Sequence, residues 1–256
     1  MRFITFLHFT AFFHRTRTYG SCSNVSMFQT RFLAFPYFST PVFFFFQSCL
    51  ENHSLKAAVS SYLGQYSDTA AVQEFEPISS WQTCKVTNTE SVFDNSYVFS
   101  ENFNEDIGAW DVSRVTKMKW MFFRANSFNS DISAWDVSSV QDTEGAFSYT
   151  MKFNADISQW DVSSLTNMFG MFARGSFNCD ISGWDVGKVQ DMGSAFMQNN
   201  AFNYDLSPWD ISSVTTMSGM FIRASRFNQS LCWNIGGKNT HFMFKGSEGR
   251  IERLLC

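Results

Sequence analysis

Six tryptophans of this chain fall at 110, 135, 160, 184, 209 and 233, and Phe-Asn pairs begin at Phe103, Phe128, Phe153, Phe177, Phe202 and Phe227, so both series step by 24 or 25 residues. A fixed period of about 20–29 residues is the mark of stacked supersecondary units, one per period. Such a unit cannot bury its own aromatic face, so it must lie against copies of itself. This excludes most globular architectures before any other feature is weighed.

One full unit runs from Phe103 to Ala125. Ile107, Trp110 and Val112 fit the spacing L-x-x-L-x-L, which predicts a short strand with the Trp and Val side chains inward and Asp111 and Ser113 outward. Val115, Met118, Met121, Phe122 and Ala125 then recur at three and four, which predicts a short helical turn that Ser113 or Thr116 caps. The expected fold class is an α/β repeat solenoid: a leucine-rich-repeat-like stack of short parallel strands, with short helical turns on the return side and an N-terminal cap helix. Leu55, Ala58, Val59 and Tyr62 form the apolar face of that helix, with Ser54 as cap and Gly64 as stop.

Charge marks the boundaries. Residues 1–50 hold four Arg and no acid, and Met1-Arg2 followed by the apolar run Phe3 to Phe13 has the form of a secretory leader, too short to cross a bilayer. A second uncharged stretch, 32–50, ends in four Phe but carries Pro36 and Pro41. The expected organisation is a leader, anchor or disordered segment over 1–50, a cap helix and linker over 51–76, repeats over 77–247 and a tail over 248–256. Within the repeats, 77–102 is a degenerate first rung around Trp81, 103–232 are regular rungs, and 233–247 is a degenerate last rung.

Net charge of −4 argues against a nucleic-acid surface. Six Cys without a C-x-x-C pair and four His outside the regular repeats spell neither a zinc site nor a nucleophile–base set. No catalytic group, metal or cofactor is therefore assigned. Cys179 and Cys232 read as free thiols, or as a sign of no consistent oxidising pressure.

The unit Phe-Asn-x-Asp-Ile-Ser-x-Trp-Asp-Val-Ser-x-Val-Thr-x-Met-x-x-Met-Phe resembles the BspA-like leucine-rich-repeat surface proteins, a repeat family also seen in mycoplasma lipoproteins and microalgal proteins. The resemblance covers about residues 52–247. It implies a secreted or cell-surface scaffold for attachment or recognition and no catalytic activity. The first rung departs from the pattern at Gln82, where the others carry Asp.

Three columns of residues define the candidate surfaces and core. Asp111, Asp136, Asp161, Asp185 and Asp210, with Asn234 closing the series, form an outward ladder. It either presents an acidic, cation-binding or ligand-facing strip, or accepts backbone N–H groups at the following turn; the second reading is preferred, because calcium needs oxygens converging on a point. A parallel column, Asp106, Asp131, Asp156, Asp180 and Asp205, is read as turn-forming. Asn104, Asn129, Asn154, Asn178, Asn203 and Asn228 form a corner ladder expected to be buried and to satisfy backbone groups. On that reading Asn228, though in an Asn-Gln-Ser sequon, stays unglycosylated. Trp110, Trp135, Trp160, Trp184, Trp209 and Trp233 are read as a stacked core column.

The function expected from these features is a non-catalytic scaffold that binds a protein or glycan at the cell surface or in the secretory pathway, with membrane association through residues 1–50 as an option. The alternatives are a self-assembling coat protein and an intracellular interaction scaffold, placed in an organelle or the cytoplasm.

Overall fold

A computed structural model of the chain describes residues 49–64 and 76–252. The leader, anchor or disordered segment expected over 1–50 lies outside the described residues except for its last two positions.

From Ile78 onward the chain winds in coils that lie one on the next in parallel register. Single parallel bridges join Asn88 to Lys117, Lys117 to Asp142, Asp142 to Asn167, Asn167 to Asp191, Asp191 to Thr216 and Thr216 to Asn239. Alternate amides extend each bridge: the N–H groups of Met118, Trp120, Phe122 and Arg124 donate to the carbonyls of Asp142, Glu144, Ala146 and Ser148 at 2.8–3.0 Å. The amides between them, on Met121, Phe123 and Ala125, donate within the coil to the carbonyls of Met118, Trp120 and Phe122. Every amide from 118 to 125 except that of Lys119 therefore has a backbone acceptor, by turns in the next coil and in its own.

This segment differs from the helical turn expected there. Among the described residues the α-helix is α1 (Asn52–Gly64), a 3-10 turn spans Ile78–Ser80, and residues 115–125 are consecutive turns. Closure from residue i to i+3 returns 115, 118, 121, 122 and 125 to one side, so turns give the same apolar spacing as a helix. The turns need left-handed residues. Trp120 (φ 51°) and Arg124 (φ 59°) supply them in one coil, Gly145 and Tyr149 in the next, then Gly170 and Arg174. The strand expected at Ile107–Val112 is also absent among the described residues. That stretch is closed instead by turns, from Trp110 N–H to the Ile107 carbonyl and from Val115 N–H to the Val112 carbonyl. The paired strands described are β1 (Ser230–Leu231) and β2 (Arg250–Ile251), parallel at the C-terminal end.

Three aromatic columns fill the inside. Phe93, Phe122, Phe147, Phe172, Phe196 and Phe221 stack with centroids 5.3–5.9 Å apart, each also lying against a Phe-Asn phenylalanine of its coil, as Phe122 does on Phe128 at 3.9 Å. Phe128, Phe153 and Phe177 form the second column. Each such ring, fully buried, contributes about 1.5–3 kcal/mol by area, an upper figure because denatured chains bury some of it too. Among the described residues no buried side-chain nitrogen or oxygen lacks a hydrogen-bond partner.

At the N-terminal edge, α1 buries Leu55, Ala58, Val59, Tyr62 and Leu63. Ser54 lies inside the first turn rather than at its cap, and its hydroxyl accepts from the Glu51 N–H. Asn52 ties the helix start to the first coil, its Oδ1 accepting the N–H groups of Thr87 and Asn88. Tyr62 packs edge-on against Trp81 at 5.5 Å, and a Cys49–Cys84 disulfide clasps the same corner.

Candidate functional site

The two aspartate columns share one local geometry. In the outward ladder, Oδ1 of Asp111, Asp136, Asp161, Asp185 and Asp210 accepts the backbone N–H two residues on, from Ser113, Ser138, Ser163, Gly187 and Ser212, at 2.9–3.1 Å. Asn234 closes the series with the same bond from Gly236. Asp106, Asp131, Asp156, Asp180 and Asp205 do likewise with Gly108, Ser133, Ser158, Ser182 and Ser207. A short carboxylate that takes the amide two residues ahead fixes an Asx turn, which is why this residue type recurs where the coil bends.

All ten carboxylates are exposed. Several lie below the usual carboxylate range, since donors favour the charged form: the Ser133 and Ser163 hydroxyls are the largest cause for Asp131 and Asp161, and the Ser158 and Ser212 amides for Asp156 and Asp210. These four side chains thus hold their negative charge firmly at neutral pH. Among the described residues no group of three or more His, Cys, Asp or Glu is placed to hold a metal ion.

The asparagine column is placed differently from its expectation. Asn104, Asn129, Asn154, Asn178 and Asn228 are exposed and Asn203 is half-buried. The Oδ1 of the first five along the chain nevertheless serves the backbone of the next coil: Asn104 accepts from Asn129 N–H at 2.6 Å, Asn129 from Asn154, Asn154 from Asn178, Asn178 from Asn203 and Asn203 from Asn228. The amide oxygen reaches along the outer edge of the stack, so a backbone-serving role does not require burial. The exposed Asn228 side chain removes the reason given for its sequon staying unmodified.

The tryptophan column lies in the core, with Trp110, Trp135, Trp160, Trp184, Trp209 and Trp233 at 3–5% exposure. Their rings stack 6.4 Å apart where neighbours are in contact, as in Trp135 on Trp160. Each indole N–H donates to a carbonyl of the preceding coil: Trp110 to Ile78, Trp135 to Ile107, Trp160 to Ile132, Trp184 to Ile157, Trp209 to Ile181 and Trp233 to Leu206. These rings are not available to a ligand.

A further column escaped the sequence reading. Asn88, Asp142, Asn167, Asp191 and Asn239, at the bridge positions, accept the amides of Glu90, Glu144, Phe169, Gly193 and His241 through Oδ1. Lys117 and Thr216 break the run, which hid it; the recurrence of Asn or Asp two residues after Val86, Val140, Leu165 and Val189 was the available signal. Here Asn167 Nδ2 donates to Asp142 Oδ1, and Lys119 pairs with Glu144 at 2.8 Å and Asp142 at 4.0 Å. The Glu144 hydrogen bond holds the Lys119 ammonium above its ordinary value.

The cysteines also depart from the reading. Cys49 and Cys84 are bonded with Cα atoms 5.4 Å apart, and Cys232 is disulfide-bonded as well. Cys179 carries a free thiol, raised above its ordinary value chiefly by burial, with Sγ 3.3 Å from Asp156 Oδ1.

A family model matches residues 62–176 and 173–252, two spans that together cover most of the chain; its description is a mycoplasma protein of unknown function, DUF285. The chain belongs to this family. No curated protein and no solved structure matches the sequence. Family membership carries a mycoplasma-type repeat and leaves the activity open.

Proposed function

We propose that this member of the DUF285 family is a non-catalytic repeat solenoid of leucine-rich-repeat type that binds a protein or glycan at the cell surface or in the secretory pathway. The observation that carries this reading is the set of exposed, identically placed side-chain columns on a core whose buried polar groups are satisfied. A rigid stack that repeats the same outward groups offers many weak contacts in register, which suits recognition of extended or repetitive surfaces better than turnover of one small molecule.

The disulfide between Cys49 and Cys84 supports an oxidising compartment, where such bonds form and persist. Among the described residues no helix is long and apolar enough to cross a membrane.

The test has two parts. The N-terminal residue is mapped in secreted, membrane and soluble pools, and the folded protein is titrated onto intact cells of its source. A start between about residues 20 and 50 in an exported pool, with saturable binding by a monomer, supports the proposal. An intact Met1 in the soluble pool overturns the surface placement. Concentration-dependent filament growth favours a coat-forming role instead.

A further inference from the structure

The net charge of −4 hides a segregation of charge in the coils after the first, whose own corner carries Asp94 and Glu101. The exposed aspartates all fall between the Phe-Asn corner and the start of the bridged segment. The corner at the other end of that segment spans 122–127, 147–152, 172–176, 196–201, 221–226 and 244–247. It carries Arg124, Lys152, Arg174, Arg223, Arg226 and Lys245 and no Asp or Glu. Of these cations only Arg174 is half-buried; the rest are exposed. Among the described residues the ion pairs are those of Lys119, so none of these cations is paired with a carboxylate; one acid does meet the start of the corner, Glu101 of the preceding coil, whose Oε1 accepts from Asn126 Nδ2 at 3.4 Å.

The guanidinium groups of Arg124 and Arg174 are positioned by rings. Arg124 lies over Phe123 at 5.1 Å and over Tyr149 at 5.3 Å, and Arg174 lies over the Tyr149 ring at 4.9 Å while donating to its hydroxyl. A guanidinium laid on a ring keeps its N–H edge free for an oxyanion and has surrendered much of its rotamer freedom already. Arg124, Tyr149, Arg174 and Arg223 hold left-handed backbone, a conformation in which Gly is the least strained residue.

Beside this row runs a groove of about 170 Å³, walled by Trp120, Phe123, Phe169 and Met197 and floored by small residues including Gly145 and Gly170. Trp120 and Phe169 are 36% and 43% exposed; nothing would meet a Cβ at Gly170, so the floor is open there, whereas the Trp120 ring itself lies on Gly145. Flat exposed rings beside cations suit a pyranose, whose C–H face stacks on an aromatic ring while its acid group meets a guanidinium. Arg124, Arg174 and Arg223 sit on every second coil, about 10 Å apart at a parallel spacing of 4.8 Å. That interval matches a polymer bearing one acid group per disaccharide.

The geometry points to this corner as a binding strip for an acidic polysaccharide, with Arg124, Arg174 and Arg223 meeting its carboxylate or sulfate groups and Trp120 and Phe169 stacking its sugars. The inference rests on the scaffold reading above and names the ligand class for it. The acidic columns on the rest of the coil would repel such a chain and confine it to this strip.

The test uses the full chain with immobilised dextran sulfate and polygalacturonate, and uncharged dextran as the control. The Arg124→Gln, Arg174→Gln, Arg223→Gln triple variant is suited to it, because Gln198 already holds the equivalent left-handed position. The expected result is salt-sensitive binding to one or both acidic polymers, weakened at least about tenfold in the triple variant with an unchanged unfolding transition. Lys152→Gln with Arg226→Gln, outside the left-handed positions, gives a second variant with a smaller loss. Absence of binding to both acidic polymers, or binding that the triple variant retains, overturns the strip. Binding to anionic lipid vesicles alone overturns it too. Saturable cell binding that survives the triple variant overturns the strip while leaving the scaffold proposal standing, so the two failures are separable.

Discussion

The two halves of each coil are held to their neighbours by different bonds running in opposite directions. Along the bridged half the backbone pairs with backbone, and amides such as those of Met118, Trp120 and Phe122 donate forward to the following coil. In the half between Phe103 and Val115 side chains do the joining, and donation runs backward: the Trp135 indole donates to the Ile107 carbonyl, and the Asn129 backbone N–H donates to the Asn104 side chain. The difference explains the composition. Backbone pairing tolerates varied residues, so the bridged half ranges over Trp120, Gly145, Gly170 and Ser194 at one position, whereas side-chain joining demands the same Trp, Asn and Asp each time.

The largest break in this comparison comes from the side-chain half. Trp160→Ala removes a ring stacked on both sides together with its bond to Ile132, and should lower stability by about 3–5 kcal/mol in denaturant unfolding. Trp160→Phe, which keeps much of the ring and strands the carbonyl, should cost less. If the two cost the same, the hydrogen bond rather than the stacking holds the column.

Next in size is the Cys49–Cys84 clasp. Its sequence separation of 35 gives a chain-entropy contribution of about 3–4 kcal/mol, so Cys84→Ser should lower the unfolding midpoint and raise hydrogen exchange first in α1.

Asn199→Ala should cost about 1–3 kcal/mol. The coil at 153–176 is one residue short, and the shortage falls in the corner between Phe172 and Phe177. Fully buried Asn199, from the following coil, donates to the carbonyls of both. An unchanged unfolding curve for this variant would show that the short corner needs no partner.

The smallest effect is acid sensitivity. The folded-state carboxyls of Asp131, Asp156, Asp161 and Asp210 lie below their unfolded values, so what they contribute is present above the ordinary carboxylate range and is lost as pH falls through the depressed values. Hydrogen exchange on acidification should therefore rise at Ser133, Ser158, Ser163 and Ser212 before it rises in the bridged half. The reverse order would mean that the Asx turns are not what stiffens that half.

The period, the inward aromatic columns and the turn-forming aspartates were legible in the sequence because each is a fixed residue type at a fixed interval. The bridged half was not. A spacing of three and four is common to helices and to consecutive turns, and the sign that separates them, Gly recurring at 145, 170 and 219 where left-handed backbone is needed, is masked by Trp120 and Ser194 in the same column. Burial of the asparagines was misjudged because a residue can serve the backbone from the outer edge. The basic corner was invisible to a whole-chain charge sum and emerged only when residues were grouped by their place in the coil.

One consequence of the backward-looking tryptophans concerns how such genes change. Each indole reaches one coil and no further, so in-frame duplication or loss of a whole unit creates no new kind of junction. The number of units is then free to drift between relatives while every internal junction stays the same, and the reach of the molecule can be lengthened or trimmed without redesigning its interior.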